Sequence, residues 1–248
     1  MSDRDPDGAN EPSAQAAQPA RPPGVSRRRA MTIPAAVAGV GASVGVGLAA
    51  VPADADAAAR GAVSLGKPGT TTVEFRGRVI QSGPSGQTFT SFGYLIRASG
   101  ASRRGLFHGT QTSEKTALLT AYATGELHAR TVDQAVHSLD IVGTMTVYQR
   151  KTPGASFGHP ASFKAGTPVA RYHMTLQDIL TVFAPDTGLP TLTGDMVQTA
   201  AHALSGPLAG RTFGRRGTRL RFFATGLGHR SDPAPHAQLE IAGNWSIE

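Results

Sequence analysis

The chain has 248 residues, 40% hydrophobic and 17% charged, with 30 Gly, 17 Pro, no Cys and a formal net charge of +7. Without cysteine there can be no disulfide, Cys-ligated zinc, iron–sulfur cluster, thiol nucleophile or lipidated-Cys anchor. Aromatic residues make up only 6% of the chain, so its core must rest on Val, Leu, Ile and Ala with ten Phe.

Residues 1–25 are rich in Asp, Pro, Ala and Gln and show no apolar period. Ser26-Arg27-Arg28-Arg29 follows, then an uncharged stretch of Ala, Gly and Val from Ala30 to Ala53. The stretch ends in Ala53-Asp54-Ala55-Asp56-Ala57, which offers A-x-A cleavage sites. A polar leader, consecutive arginines and a weakly apolar run resemble a twin-arginine export signal. Ala30-Met31 stands where such signals carry a bulky apolar pair. The competing reading is a retained N-terminal anchor, but Leu48 is the only Leu in the stretch, and Gly and Ala contribute little transfer energy. The expectation is an extracellular protein handled by the twin-arginine machinery, with residues 1–57 as leader and 58–69 as linker. The leader holds five arginines and six acids, so the remaining 191 residues carry a net charge of +8.

From residue 70 onward, period-two alternation dominates. Thr71–Ile80 places Val73, Phe75 and Val79 on one face and Glu74, Arg76 and Arg78 on the other. After a Gly/Pro/Ser turn, Thr88–Ala98 reads as a strand, and a short strand is expected at Gly105–His108. Thr116–His128 and Ser138–Arg150 are long strands, followed by a Pro/Gly/Ser loop over 151–166. Thr167–Phe183, Thr191–His202, Thr218–His229 and His236–Ile247 complete the set, with a trace of helical spacing only around Met196–Leu204. Eight or nine strands with short turns must close or fold over to remove their edges, giving an up-and-down barrel or a sandwich.

Four segments carry a family resemblance: Phe75-Arg76-Gly77-Arg78-Val79, Phe92-Gly93-Tyr94-Leu95, Gly143-Thr144-Met145-Thr146-Val147-Tyr148 and Gly243-Asn244. Here the chain resembles secreted actinobacterial proteins with an allene oxide cyclase-like barrel, the calycin-like architecture shared with dirigent proteins. The resemblance covers residues 70–248 and implies an all-β fold: a single eight-stranded antiparallel calycin-like barrel. It also implies a lumen able to take a small apolar ligand, and a cyclase- or isomerase-type activity as one alternative. It transfers no catalytic position residue by residue, so any enzymatic reading rests on fold alone.

Arg171–Asp178 is the strand with most to offer. Tyr172, Met174, Leu176 and Asp178 share a face that suits the wall of an apolar pocket with one polar group. Buried there, Asp178 would act as a general acid or base; at a strand end in solvent it would do neither. Glu74 is the second candidate carboxylate. Tyr94, Tyr148, Tyr172 and Met174 are the candidate ligand contacts, although Tyr in a strand is more often there for packing. Gly154-Ala155-Ser156-Phe157-Gly158 matches G-x-S-x-G, yet no helix pattern follows it, so it reads as a surface loop. Eight scattered histidines include no HxH or HExxH spacing, so no metal site and no cofactor are expected. Arg211, Arg215, Arg216, Arg219 and Arg221 form a basic cluster suited to an anionic polymer such as cell wall. Nucleic acid is not expected, because stacking positions are few.

Overall fold

The computed structural model describes residues 63–64, 69–231 and 236–248. The expected export segment at 1–57, and most of the expected linker at 58–69, lie outside the described residues. In chain order the strands are β1 (Val63–Ser64), β2 (Thr71–Ser82), β3 (Thr88–Ala98), β4 (Leu119–Asp133), β5 (Val136–Gln149), β6 (Thr167–Ala184), β7 (Thr187–Ala201), β8 (Arg211–Thr212), β9 (Arg219–Arg230) and β10 (Ala237–Ile247). The eight long strands pair antiparallel, each with the next long one, and β10 returns to β2 to close the barrel. Closure leaves no unpaired edge, which is why so long a meander is stable without a covering layer. The two-residue strands β1 and β8 pair in parallel outside it.

The alternation read from the sequence sets the faces. On β2, Val73, Phe75 and Val79 are buried inside, while Glu74 and Arg97 form an ion pair on the outer surface. On β6, Tyr172, Met174, Leu176 and Asp178 point inward, and Arg171, His173, Thr175 and Gln177 point out. Paired glycines let strands approach. Gly125 and Gly143 face each other across β4 and β5, and a Cβ on Gly143 would lie 2.7 Å from the Gly125 Cα and strike the Thr124 carbonyl oxygen.

The two ends differ. Three long loops, 99–118, 150–166 and 202–218, leave from one end, and the first and third close it. Leu106, Phe107, Leu204, Leu208 and Phe213 from the first and third join the core with Val73, Leu95, Tyr172 and Trp245. The middle loop instead folds back over the outside of the wall, where Phe163 and Ala155 bury Phe92. Thr120 Oγ1 donates to the Phe163 carbonyl at 2.8 Å, and the Arg150 guanidinium donates to the Thr152 and Ser162 carbonyls. Among the described residues, only hairpin turns ring the opposite end.

Three local expectations are corrected. Gly105–His108 is not a strand: Arg103–Leu106 makes one helical turn, α1, and Phe107 keeps only a single bridge to Ala117. The Leu208 side chain packs directly on Gly105, a contact that any Cβ would block. Helical spacing near Met196 is overridden by pairing, since β7 runs through to Ala201 with Met196 fully buried. The strands expected to stop at His128 and to restart at Ser138 continue to Asp133 and from Val136. They meet in a two-residue turn in which Gln134 takes a positive φ of 50°.

Candidate functional site

The β4–β5 and β6–β7 ribbons overhang the hairpin end and build its walls. Between them and the facing ends of β2, β3, β9 and β10 lies an open cavity of about 380 Å³. Its wall is largely apolar: Phe89, Val132, Leu139, Leu180, Val182, Ala237 and Leu239. A narrower space of about 60 Å³ continues inward between Ile141, Met145, Met174, Leu176, Leu192 and Phe222. Phe89, Asp178 and Leu239 border both spaces, so Asp178 stands at the step from the wide mouth to the narrow lumen.

Asp178 is 3% exposed and lies six residues before the end of its strand. The alternative of a solvated strand end does not hold. Its cross-strand partners are Leu139 and Leu192, both buried apolar residues. The Thr191 backbone N–H donates to Asp178 Oδ1 at 3.0 Å; Oδ2 has no hydrogen-bond partner among the described residues. Burial pushes the carboxyl up to about 6, against the smaller opposing pull of the Thr191 N–H. It is therefore a carboxyl poised between forms near neutral pH, able to donate a hydrogen bond when protonated and to accept a proton when not.

Arg130, His137, Gln81 and His229 add further polar groups to the wall. A β-bulge leaves His128 without a partner on β5, so residues beyond it change face. Arg130 thereby sits opposite Leu139, and Val132 opposite His137, on the cavity side. At the rim, His236 Nε2 lies 3.0 Å from the Gly83 carbonyl oxygen, and Arg230 pairs with Asp186 at 3.6 Å. Sequence reasoning missed Arg130, His137 and Arg230 because a bulge reverses the parity that alternation relies on, and because the ribbon extensions look like polar loop.

The other predicted positions fall elsewhere. Glu74 is on the outer wall, paired with Arg97 at 2.9 Å, and so is not a lumen carboxylate. Tyr94 is also outside: it stands across from Arg76, with its ring edge-on to Phe107, and burial raises its hydroxyl above the usual range. Tyr148 is half-buried and lines neither space. Tyr172 is inside but in the plugged end, packed on Trp245 with ring centroids 5.9 Å apart, and burial raises its hydroxyl strongly. Met174 alone of these four lines the lumen beside Asp178. Ser156 sits in the 150–166 loop, where its Oγ accepts from the Gly158 N–H at 3.3 Å and a single 3-10 turn follows, not a helix. The predicted anion-binding arginines lie at or near the plugged end. Arg221 is spoken for by Asp195 at 2.7 Å and Glu248 at 3.9 Å.

Comparison with known protein families, curated proteins and solved structures finds no match to this chain. Fold and cavity together define a class: a closed eight-stranded up-and-down β-barrel, plugged at one end and hollow at the other.

Proposed function

We propose that this barrel takes a small apolar or amphipathic molecule into its lumen through the open end. One observation carries the reading: a largely apolar cavity of about 380 Å³ with a buried carboxyl, Asp178, at its inner end, one oxygen of which has no partner among the described residues. A wall of that character, with a few polar groups to fix orientation, is what a small-molecule site requires. Burying a carboxyl in an apolar wall is costly, so its position is better explained by a ligand group than by stability.

The test uses N-phenyl-1-naphthylamine, a neutral apolar fluorophore. Its emission should rise and saturate with the protein. Met174→Trp in the narrow lumen and Leu180→Trp in the wider mouth should each weaken that binding while the urea midpoint confirms folding. Absence of saturable binding, or binding indifferent to both fillings, overturns the reading.

A second reading follows from the same carboxyl. With its pKa near neutral, Asp178 suits general acid–base work in an isomerase- or cyclase-type reaction. In that case Asp178→Asn abolishes turnover and leaves fluorophore binding intact. Membership of the allene oxide cyclase-like and dirigent-like barrels, and export through the twin-arginine route, belong to the same proposal; the closed eight-stranded barrel supports the first at the level of fold alone. A mature N-terminus near residue 58 on protein recovered from culture fluid supports export, and a start at Met1 opposes it.

A further inference from the structure

The charge of this domain is not spread evenly between its ends. The two loops that form the plug, 99–118 and 202–218, hold six Arg and Lys residues against Glu114, with Glu248 beside them at the end of β10, and the middle loop adds Arg150, Lys151 and Lys164 along the adjoining wall. The described open end holds Arg130 and Arg230 against Asp133, Asp178 and Asp186. The side walls largely neutralise themselves, through Arg78–Glu240, Arg97–Glu74 and Arg221–Asp195. The net positive charge therefore collects on one pole.

That pole is a built surface. Gln149 donates through Nε2 to the Ser205 carbonyl at 3.0 Å and accepts from the Ser205 N–H at 2.8 Å, tying the end of β5 to the third loop. Leu208 of the third loop packs on Gly105 of the first, and the Arg150 N–H bonds to the Leu118 carbonyl at 2.8 Å. Gly214-Arg215-Arg216-Gly217 is a turn with both glycines at positive φ, 76° and 84°, and it presents two exposed arginines side by side. A Cβ on Gly214 would strike the Gln198 amide, so a glycine is required where the turn begins. Arg104, Arg215, Arg216 and Arg219 are exposed, and none has an acid partner among the described residues.

We infer that the plugged end binds a hydrophilic phosphate-bearing polyanion through Arg104, Arg215, Arg216 and Arg219, leaving the open mouth turned away from it. Guanidinium forks match phosphate oxygens bidentately. A lipid surface fits less well, because no large apolar side chain of these three loops is exposed to enter it. Base stacking has no exposed platform either, because Phe107, Phe163 and Phe213 are buried and half-buried Phe157 lies under the Arg78 guanidinium. The partner is thus read as charge on a flexible backbone, independent of any ligand in the lumen.

The experiment measures binding of the full chain to end-labelled inorganic polyphosphate by fluorescence anisotropy across a salt series. Affinity should fall linearly on a log–log plot, as counterion release demands. Replacing Arg104, Arg215, Arg216 and Arg219 together by Ser should flatten that slope by roughly 0.7 for each arginine–phosphate pairing removed, and weaken binding by roughly tenfold or more at moderate salt. Arg97→Ser, which removes one charge from the side wall, should leave the slope unchanged. An Arg216→Ser effect no larger than that of Arg97→Ser shows that only overall charge matters and overturns the inference. So does absence of polyphosphate binding at low salt, or binding confined to phosphatidylglycerol vesicles. Unchanged tryptophan emission in each variant confirms that the fold is intact.

Discussion

Replacing Asp178 by Asn should make the protein more stable at neutral pH, although it removes a charge from the centre of the cavity. In the unfolded chain the carboxyl titrates near 3.8, and in the barrel burial pushes it up to about 6. Between these values the native state holds a proton that the unfolded state has lost, so native stability falls as pH rises. The shift is about two units at 1.36 kcal/mol each, so the ionised carboxyl costs about 3 kcal/mol once pH is well above 6. That cost is absent below about pH 3.8, where both states are protonated. Asn keeps the shape and an oxygen to accept from Thr191, and has no charge to desolvate. The wild-type and Asp178→Asn unfolding free energies should therefore agree near pH 4 and diverge by up to about 3 kcal/mol by pH 8, the variant being the more stable. On a domain of this size that corresponds to roughly 6–12 °C in midpoint. Urea titrations of both proteins without ligand, at half-unit pH steps, measure the difference directly and cancel every other titrating group. Parallel curves from pH 4 to 8 would refute the argument, because they would mean the carboxyl is hydrated in the folded protein.

Three further outcomes are expected. Trp245, the single tryptophan, is 1% exposed and packs on Phe75 and Tyr172, with ring centroids 5.8 and 5.9 Å away. Its emission should be blue-shifted in the native state, and Trp245→Ala should cost about 3–5 kcal/mol by denaturant unfolding. Gly143→Ala forces a Cβ into the Thr124 carbonyl and should cost about 1–3 kcal/mol; a neutral effect in the same assay would show that β4 and β5 separate freely. Arg221→Ala breaks an exposed pair with Asp195, and its effect on the unfolding midpoint should stay below about 1 kcal/mol.

The alternation of Thr71–Ile80 and Arg171–Asp178 is a property of the chain itself, because successive side chains of any strand point to opposite faces. It determined that the domain is all-β, that its strands run as a meander, and which face of most strands is buried. The basic residues at 211–219 are likewise legible, since charge needs no partner to be counted. The cavity was another matter. Whether a face that mixes Leu, Met and Asp encloses solid core or open space depends on how strands from across the chain taper around it. Tyr172 and Asp178 share one face of one strand, yet one is packed against Trp245 in the plug and the other borders the mouth. Arg130 reached the cavity only through a bulge, which costs one residue and leaves no clear local signature. Glu74 lies on the outer face that its own alternation opposite Val73 and Phe75 sets, whereas Tyr94 is outward-facing yet buried, because the 99–118 loop brings Phe107 against it. Local periodicity thus set the strands, and long-range pairing, which depends on side chains far apart in sequence, decided what they surround.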